Sequence, residues 1–478
     1  MKAIIVLGLG FGDEGKGKCV DALVRANNSK LVVRFNGGFQ AAHNVYTEDG
    51  KIHTFSQFGS GTFAGADTLI GPAVIVNPLA MQVEATALEM NGVKNPLKKI
   101  WISKACLITT PFHKALNQIR ELSRKNVHGS TGTGIGETAR MSTSGKTVLR
   151  VEHLRGPTST LLYTLRELQK YLESQCMELI HDYELSGEDV DNAMANFAVE
   201  DGMNKLLMRY VNWCTTVNIV QHSDNSYQDK YRSEKEPVIF EGAQGVLLDQ
   251  QYGFHPYTTW SRTTNFSARM MLRPEDSVKT IGVLRTFMTR HGAGPLVTEH
   301  PALQSLVQDD DNQQGKFQGS FRVGHLDLVA LKYAIKRCHK IDALAVTHCD
   351  KLKNVNANKV CIAYEGADLL NYSADEASPE AFAFTKKLFK TKPVLVEPTD
   401  LLALIEEQLK LPIIIKSYGK TNKQTYMGLQ PDDDFVAKPK RDAEVAQKIE
   451  EMTAGEKAAE PTPTTELVEA KTPEATVA

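Results

Sequence analysis

The sequence predicts an α/β fold: a large, mostly parallel central sheet flanked by helices, with helical excursions. Three observations lead there. Short runs rich in Val and Ile, bounded by Gly, Asn or Asp, recur along the chain. Several are continuously apolar rather than alternating, as strands buried on both faces require. Helical patterns lie between many of them, and strands that alternate with helices build a parallel sheet, because parallel neighbours need a crossover.

Taken in order, the predicted strands are 3–7, 31–35, 68–70, 99–102, 238–241, 280–284, 343–347 and 413–416. Helices are expected between them, for example over 77–90 and 327–338. The segment 158–218 breaks the rhythm. Its apolar residues Leu161, Leu165, Leu168 and Leu172 recur every three or four positions, which reads as a helical excursion from the sheet. No repeat of solenoid period is visible. The expected organisation is one catalytic domain over 1–440 and a tail over 441–478. The tail has no aromatic residue, 9 acids against 4 bases and two Pro/Thr/Glu-rich stretches. Such a composition favours a solvated, disordered segment.

Composition excludes several classes. Across 478 residues, 55 Lys and Arg face 57 Asp and Glu, a formal net charge of -2. That balance argues against a nucleic-acid binder, whose domain is usually strongly basic. No apolar run approaches the length of a membrane span. The start, Met1-Lys-Ala-Ile-Ile-Val-Leu, runs straight into a glycine-rich loop and reads as a buried strand rather than a secretory signal. Seven scattered Cys without a C-x-x-C pair suggest reduced thiols, a cytoplasmic location and no zinc site.

The first loop carries the chemistry. Gly8-Leu-Gly10-Phe-Gly12-Asp13-Glu14-Gly15-Lys16-Gly17-Lys18 follows the first strand and opens a helix. Gly10-x-Gly12-x-x-Gly15 fits a dinucleotide fingerprint, and Gly10-x-x-x-x-Gly15-Lys16 fits a phosphate loop. Both hold anions on backbone N–H groups and a helix N-terminus. The dinucleotide reading needs an acid at the end of the second strand, where the chain has Arg34-Phe35-Asn36-Gly37-Gly38. Two lysines favour a nucleoside triphosphate instead. Gly17 stands where a magnesium-binding Ser or Thr would be, which leaves Asp13 as the available ligand.

Gly12-Asp-Glu-Gly-Lys-Gly-Lys18 resembles the signature of the adenylosuccinate synthetase family. Further blocks follow in that family's order: Asn36-Gly-Gly-Phe-Gln-Ala-Ala-His43, Gly129-Ser-Thr-Gly-Thr-Gly-Ile-Gly136, Phe240-Glu-Gly-Ala-Gln-Gly-Val-Leu-Leu-Asp249, the block from Thr289 to Glu299, Gly324-His-Leu-Asp327 and Thr347-His-Cys-Asp350. The resemblance covers about residues 1–430. It implies a GTP- and Mg2+-dependent ligase that joins inosine monophosphate and aspartate into adenylosuccinate through a 6-phosphoryl intermediate. It implies a homodimer as well.

Carried over singly, Asp13 matches the base and a metal ligand, His43 the acid that stabilises departing GDP, and Gln244 the side chain at the purine face. Gly12, Gly15, Lys16, Gly17 and Lys18 match the phosphate loop for GTP. Asp350 matches the acid that selects guanine, with Ser417 and Gly419 around that base. Thr131 and Thr259 match contacts to the inosinate phosphate, and Gln40, Arg290 and Arg322 complete the expected substrate set. Ala42 stands where a backbone carbonyl touches the metal.

The departures gather at the amine end. An arginine-rich run is thinned to Arg322 within Gln318-Gly-Ser-Phe-Arg322. Losing an arginine fork removes charge and geometry together, so either another cation such as Arg262 or Lys316 substitutes, or the amine is not aspartate. A related ligase with another amine or purine-like acceptor is therefore the alternative. Thr133 replaces an arginine of the phosphate loop, and Glu137-Thr138 replaces Pro-Ala. The arginine lent across the family's dimer has no clean counterpart, with Lys146 nearby.

Overall fold

The computed structural model describes residues 1–124, 129–198, 202–220, 235–307, 317–354, 359–372 and 377–428. The tail 441–478 and Lys316 lie outside them.

Ten strands form one sheet. In chain order they are β1 (Lys2–Gly8), β2 (Leu31–Arg34), β3 (Asp67–Ile70), β4 (Ile100–Ser103), β5 (Asn218–Val220), β6 (Val238–Gly245), β7 (Ser277–Arg285), β8 (Ala343–Thr347), β9 (Ile413–Ser417) and β10 (Thr425–Met427). Their spatial order is β10-β9-β8-β7-β1-β6-β2-β3-β4-β5. Every pairing is parallel except β9 with β10. All eight sequence-predicted strands are in this sheet. The edge strands β5 and β10, three residues each, are too short to announce themselves.

The continuous apolar runs have the predicted cause. Along β1, Ile4 and Val6 face Cys19, Val20, Leu23 and Val24 of helix α1 (Lys16–Asn27). Ala3, Ile5 and Leu7 face the opposite layer, with Leu328, Leu331 and Ala334 of the helix Leu328–Arg337. Both faces are covered, so positions 3–7 of the strand are all apolar and buried. That helix starts where expected because Asp327 caps it, accepting from the Ala330 N–H at 3.0 Å.

Helix α2 (Pro78–Met90) is capped by Asn77, with Pro at its first position. Helix α3 (Pro111–Leu122) is capped by Thr110. Helix α4 (Ile135–Thr143) begins after Gly134. The segment of leucine periodicity is α5 (Thr158–Asp182), followed by α6 (Glu188–Met194) and α7 (Gly202–Thr216). Leu161, Leu165, Leu168 and Leu172 pack in a second core with α3 residues Phe112 and Leu116 and with Tyr210 and Trp213 of α7. All seven cysteines are buried and none is bridged. Among the described residues no helix is long and apolar enough to cross a membrane.

Candidate active site

In an open parallel sheet, ligands bind beyond the carboxyl ends of the strands, where neighbouring crossovers diverge. Here β1 sits between β6 and β7. The segments leaving β1, β2, β6, β7, β8 and β9 carry most of the residues singled out by sequence. They border a cavity of about 890 Å³. Gly12, Asp13, Gly15, Lys16, Gly17, Lys18, Gln40, Ala42, His43, Thr131, Gln244, Thr259, Arg290, Asp350 and Gly419 all line it. Ser417 and Arg322 do not.

The phosphate loop is shaped by its own acid. The Glu14 carboxylate is buried and accepts from the Gly10 and Gly12 N–H groups at 3.0 and 2.8 Å. Its other oxygen binds the Lys16 ammonium at 2.6 Å. A buried cation requires such a partner, so Glu14 is what keeps Lys16 inside the loop. Gly15 enters α1 with φ +87°, a conformation that suits glycine. Lys18 donates to the Ser417 hydroxyl at 2.8 Å, and burial lowers its pKa. Ser417 thus touches the loop lysine from behind the wall.

Asp13 adopts φ +59°, which points its side chain at the cavity; the Arg285 guanidinium donates to its carbonyl. The His291 ring lies 3.3 Å from the Asp13 carboxylate. Across the cavity His43 sits on a short strand, His43–Tyr46, with its Nδ1 2.5 Å from the Glu241 carboxylate. Glu241 also accepts from the Ser60 N–H at 2.9 Å and the Ser60 hydroxyl at 2.5 Å. Burial pushes the Glu241 pKa up, but the Arg34 guanidinium, the His43 ring and Ser60 outweigh it, and it falls to about 2. Burial lowers the pKa of His43, and the Glu241 carboxylate pulls it partly back. Arg34 is itself fixed on the carbonyls of Phe58 and Ala41, both at 3.1 Å. With Nδ1 committed to Glu241, the other ring nitrogen of His43 is the one available to a ligand.

Gln244 adopts φ +62° and donates to the Thr259 hydroxyl at 2.8 Å. Asn36 ties this turn to the histidine loop, bonding the Ala243 carbonyl and N–H at 3.2 and 2.8 Å. At the end of β8, His348 (φ +59°) precedes Asp350, and Thr347 donates to the Glu14 carbonyl at 2.7 Å, locking β8 to the phosphate loop.

The expected arginines are placed differently. Arg290 lines the cavity, yet its guanidinium is given to the carbonyls of Ala293, Pro295 and Tyr257 at 3.0, 3.1 and 3.1 Å, and it stacks on Phe11. Burial, then the nearby Arg322, lowers its pKa to about 9. Arg322 pairs with Glu299 and donates to the carbonyls of Gly292 and Gly294 at 2.9 and 2.8 Å. Both hold the loop 292–299 together. Arg262 lies off the cavity, 3.7 Å from Asp249. Lys146 is also off the wall, its ammonium 5.3 Å over the Tyr171 ring.

Sequence reasoning passed over Glu241, Arg34, Glu14 and His291 as site residues. The signal for the first two was present: a charge inside or ending a continuously apolar strand must be paired. The opposite wall, built from Arg120, Glu137 and Arg140, was not foreseen either.

A family model described as adenylosuccinate synthetase matches residues 5–426. The adenylosuccinate synthetase of Shewanella frigidimarina is 30% identical over 455 residues, covering 90% of this chain and 99% of that one. That of Borrelia recurrentis is 29% identical over 449 residues, covering 89% and 98%. Among solved structures, the fully ligated adenylosuccinate synthetase of Plasmodium falciparum superposes with a TM-score of 0.69 at 21% identity, covering 90% of this chain and all of the other. A succinoaminodeoxyadenylate synthetase of cyanophage S-2L, bound to dGMP and to dATP as energy donor, gives 0.55 at 14% identity, covering 90% and 96%. These likenesses run over the whole body that builds the cavity, and the chain belongs to the adenylosuccinate synthetase family.

Proposed function

We propose that this protein is a GTP-dependent ligase that joins inosine monophosphate and aspartate to form adenylosuccinate, GDP and phosphate. The observation that carries the reading is the convergence of Asp13, His43 and Gln244, from three separate strand ends, on one cavity with Lys16, Lys18 and Asp350. Phosphoryl transfer is mostly positioning and electrostatic stabilisation, and this is a positioning site.

In this mechanism the Asp13 carboxylate takes the proton from N1 of the purine, so that O6 attacks the γ-phosphate. Gln244, oriented by Thr259, meets the purine face as charge builds on O6. Lys16, Lys18 and the amides from Gly12 to Gly17 neutralise the triphosphate. His43, its Nδ1 held by Glu241, takes up a proton on its other ring nitrogen as the negative triphosphate settles beside it, and donates that proton towards the departing GDP. Asp350, on the same cavity lining as Gly419, reads the guanine edge. The aspartate amine then displaces phosphate from C6.

Among the described residues no group of three His, Cys, Asp or Glu side chains could hold a metal unaided. A lone carboxylate, Asp13, in a cavity that Ala42 also lines, fits Mg2+ all the same, since that ion takes few protein ligands and several phosphate oxygens and waters. When bound it would neutralise charge on the transferring phosphoryl group. The expected homodimer belongs to this reading too.

The test supplies protein, GTP, Mg2+ and inosinate and follows phosphate release across a panel of amines. Adenylosuccinate formed from aspartate supports the reading; release with some other amine alone overturns it. Asp13→Ala should abolish turnover with an unchanged melting temperature. Full activity in that variant would remove Asp13 as the base.

A further inference from the structure

One wall of the cavity plays no part in that mechanism. Asn117, Arg120 and Arg124 lie along one face of α3, and the loop 129–134 runs beside them into α4. Asn117 holds the loop, donating to the Ser130 hydroxyl at 2.8 Å and accepting from the Gly134 N–H at 3.0 Å. One turn further on α3, the Arg120 Nε donates to the Glu137 Oε1 at 2.7 Å. The second Glu137 oxygen takes the Nε and Nη2 of Arg140, the former at 3.1 Å.

Glu137 is buried, whereas Arg120 and Arg140 are partly exposed and line the cavity together with Thr131. Glu137 therefore acts as a strut between two guanidiniums. Among the described residues, both Nη groups of Arg120 and the Nη1 of Arg140 have no protein partner. The wall carries three arginines (120, 124 and 140) against two glutamates (121 and 137), so an oxyanion is its electrostatic complement.

We infer that Arg120 and Arg140 grip the 5′-phosphate of the nucleoside monophosphate, so that this subunit supplies its own cations for that group. The inference rests on the function proposed above. Planar guanidinium forks suit a phosphate monoester, whose oxygens accept several charge-assisted bonds at once. Of the other cations on the cavity lining, Lys16 is paired with Glu14, Lys18 donates to Ser417, Arg290 to three carbonyls and Arg285 to the Asp13 carbonyl, while Lys351 and Lys420 neighbour Asp350 and Gly419 in the chain; Arg322, off the lining, is paired with Glu299. Lys146, which the sequence offered in place of a cross-dimer arginine, lies off the wall against Tyr171. Glu137 and Arg140 thus explain how the loop tolerates Thr133 where an arginine is expected. The charge has moved from the loop to the helices that flank it.

Arg140→Met and Arg120→Met keep the apolar stems and remove the charges. Each should raise the KM for inosinate at least about tenfold, the scale of one lost bond to a charged group. kcat and the KM values for GTP and aspartate should stay within about threefold, and Arg140→Lys should recover part of the loss. Calorimetry with inosinate and with inosine separates the phosphate from the rest of the ligand: Arg140→Met should weaken the first and leave the second unchanged. Equal weakening of both would overturn the inference, as would a rise confined to the KM for aspartate. So would unchanged inosinate binding in both variants. A wild-type protein that binds no inosinate would instead overturn the functional reading on which the subsite depends.

Discussion

Glu241→Gln is the sharpest probe of His43 as the proposed acid of the site. The substitution keeps the shape and removes one buried charge. The wild-type carboxylate accepts from His43, from the Ser60 N–H and from the Ser60 hydroxyl, at 2.5, 2.9 and 2.5 Å, with the Arg34 guanidinium close by. These contacts hold its pKa at about 2 against an ordinary 4.5. That depression corresponds to about 3 kcal/mol of stability at neutral pH. Breaking a buried ion pair by removing one partner costs about the same. A depressed carboxylate contributes above its unfolded pKa and loses the contribution as pH falls towards the folded value. Wild-type stability should therefore drop from about pH 5 to pH 2, and the variant's drop over that range should be shallower by the contribution of this one carboxylate. The lowered His43 pKa has the same sign at higher pH: the folded ring refuses a proton that the unfolded chain takes, so stability falls below about pH 6.5 in both proteins.

For catalysis, the amide in place of the carboxylate lets the His43 ring turn and makes it harder to protonate. We expect kcat to fall at least about a hundredfold, the scale of a lost general acid, with KM for GTP and inosinate within a few-fold. Urea melts across pH and a phosphate-release assay read both effects. A kcat within about threefold of wild type would refute the dyad. If the variant fails to fold, Ser60→Ala removes only one bond to Glu241 and should shift kcat the same way by less.

Two further substitutions test the scaffold. Gly15→Ala forces a side chain into φ +87° and brings its Cβ within 3.2 Å of Thr347, so stability should fall by about 1–3 kcal/mol and the KM for GTP should rise; an unchanged melt and KM would show that the loop relaxes freely. Arg322→Met should lower the melting temperature by unpinning the loop 292–299, because Glu299 and two carbonyls lose their donor together. If the melt is unchanged and only the KM for aspartate rises, Arg322 is a substrate contact and its structural assignment is wrong.

The sheet was legible because burial on both faces writes itself as uninterrupted apolar runs, and β8 begins and ends where the sequence places it. The phosphate loop was legible because its glycines and lysines are contiguous. What escaped was pairing across the fold. Nothing in the sequence says that Glu241 meets His43, 198 positions away, or that Arg290 and Arg322 face each other on neighbouring strands. Arginine was read as a free fork because its charge suggests a ligand. In the folded chain, three carbonyls claim one fork, and Glu299 with two carbonyls claims the other.

The backbone shows why these particular side chains meet. Asp13, Gln244 and His348 are non-glycine residues with φ near +60°, and each lies where a chain segment leaves a central strand. Such a conformation costs on the order of 1–3 kcal/mol and persists only where its surroundings enforce it. The enforcement is visible at each. Arg285 holds the Asp13 carbonyl, Thr259 holds the Gln244 amide, and Thr286 holds the His348 carbonyl at 3.0 Å. A strand continuing in its own direction would send alternate side chains into the two helix layers, which are already full. A left-handed residue near the strand's carboxyl end instead turns the chain, and all three residues line the cavity there. The site is thus assembled by chain reversals, and the strain at each is offset by a hydrogen bond from another element. Because those elements differ from site to site, the reversals at Asp13, Gln244 and His348 are braced from different parts of the fold, and together they bring the chain to one cavity.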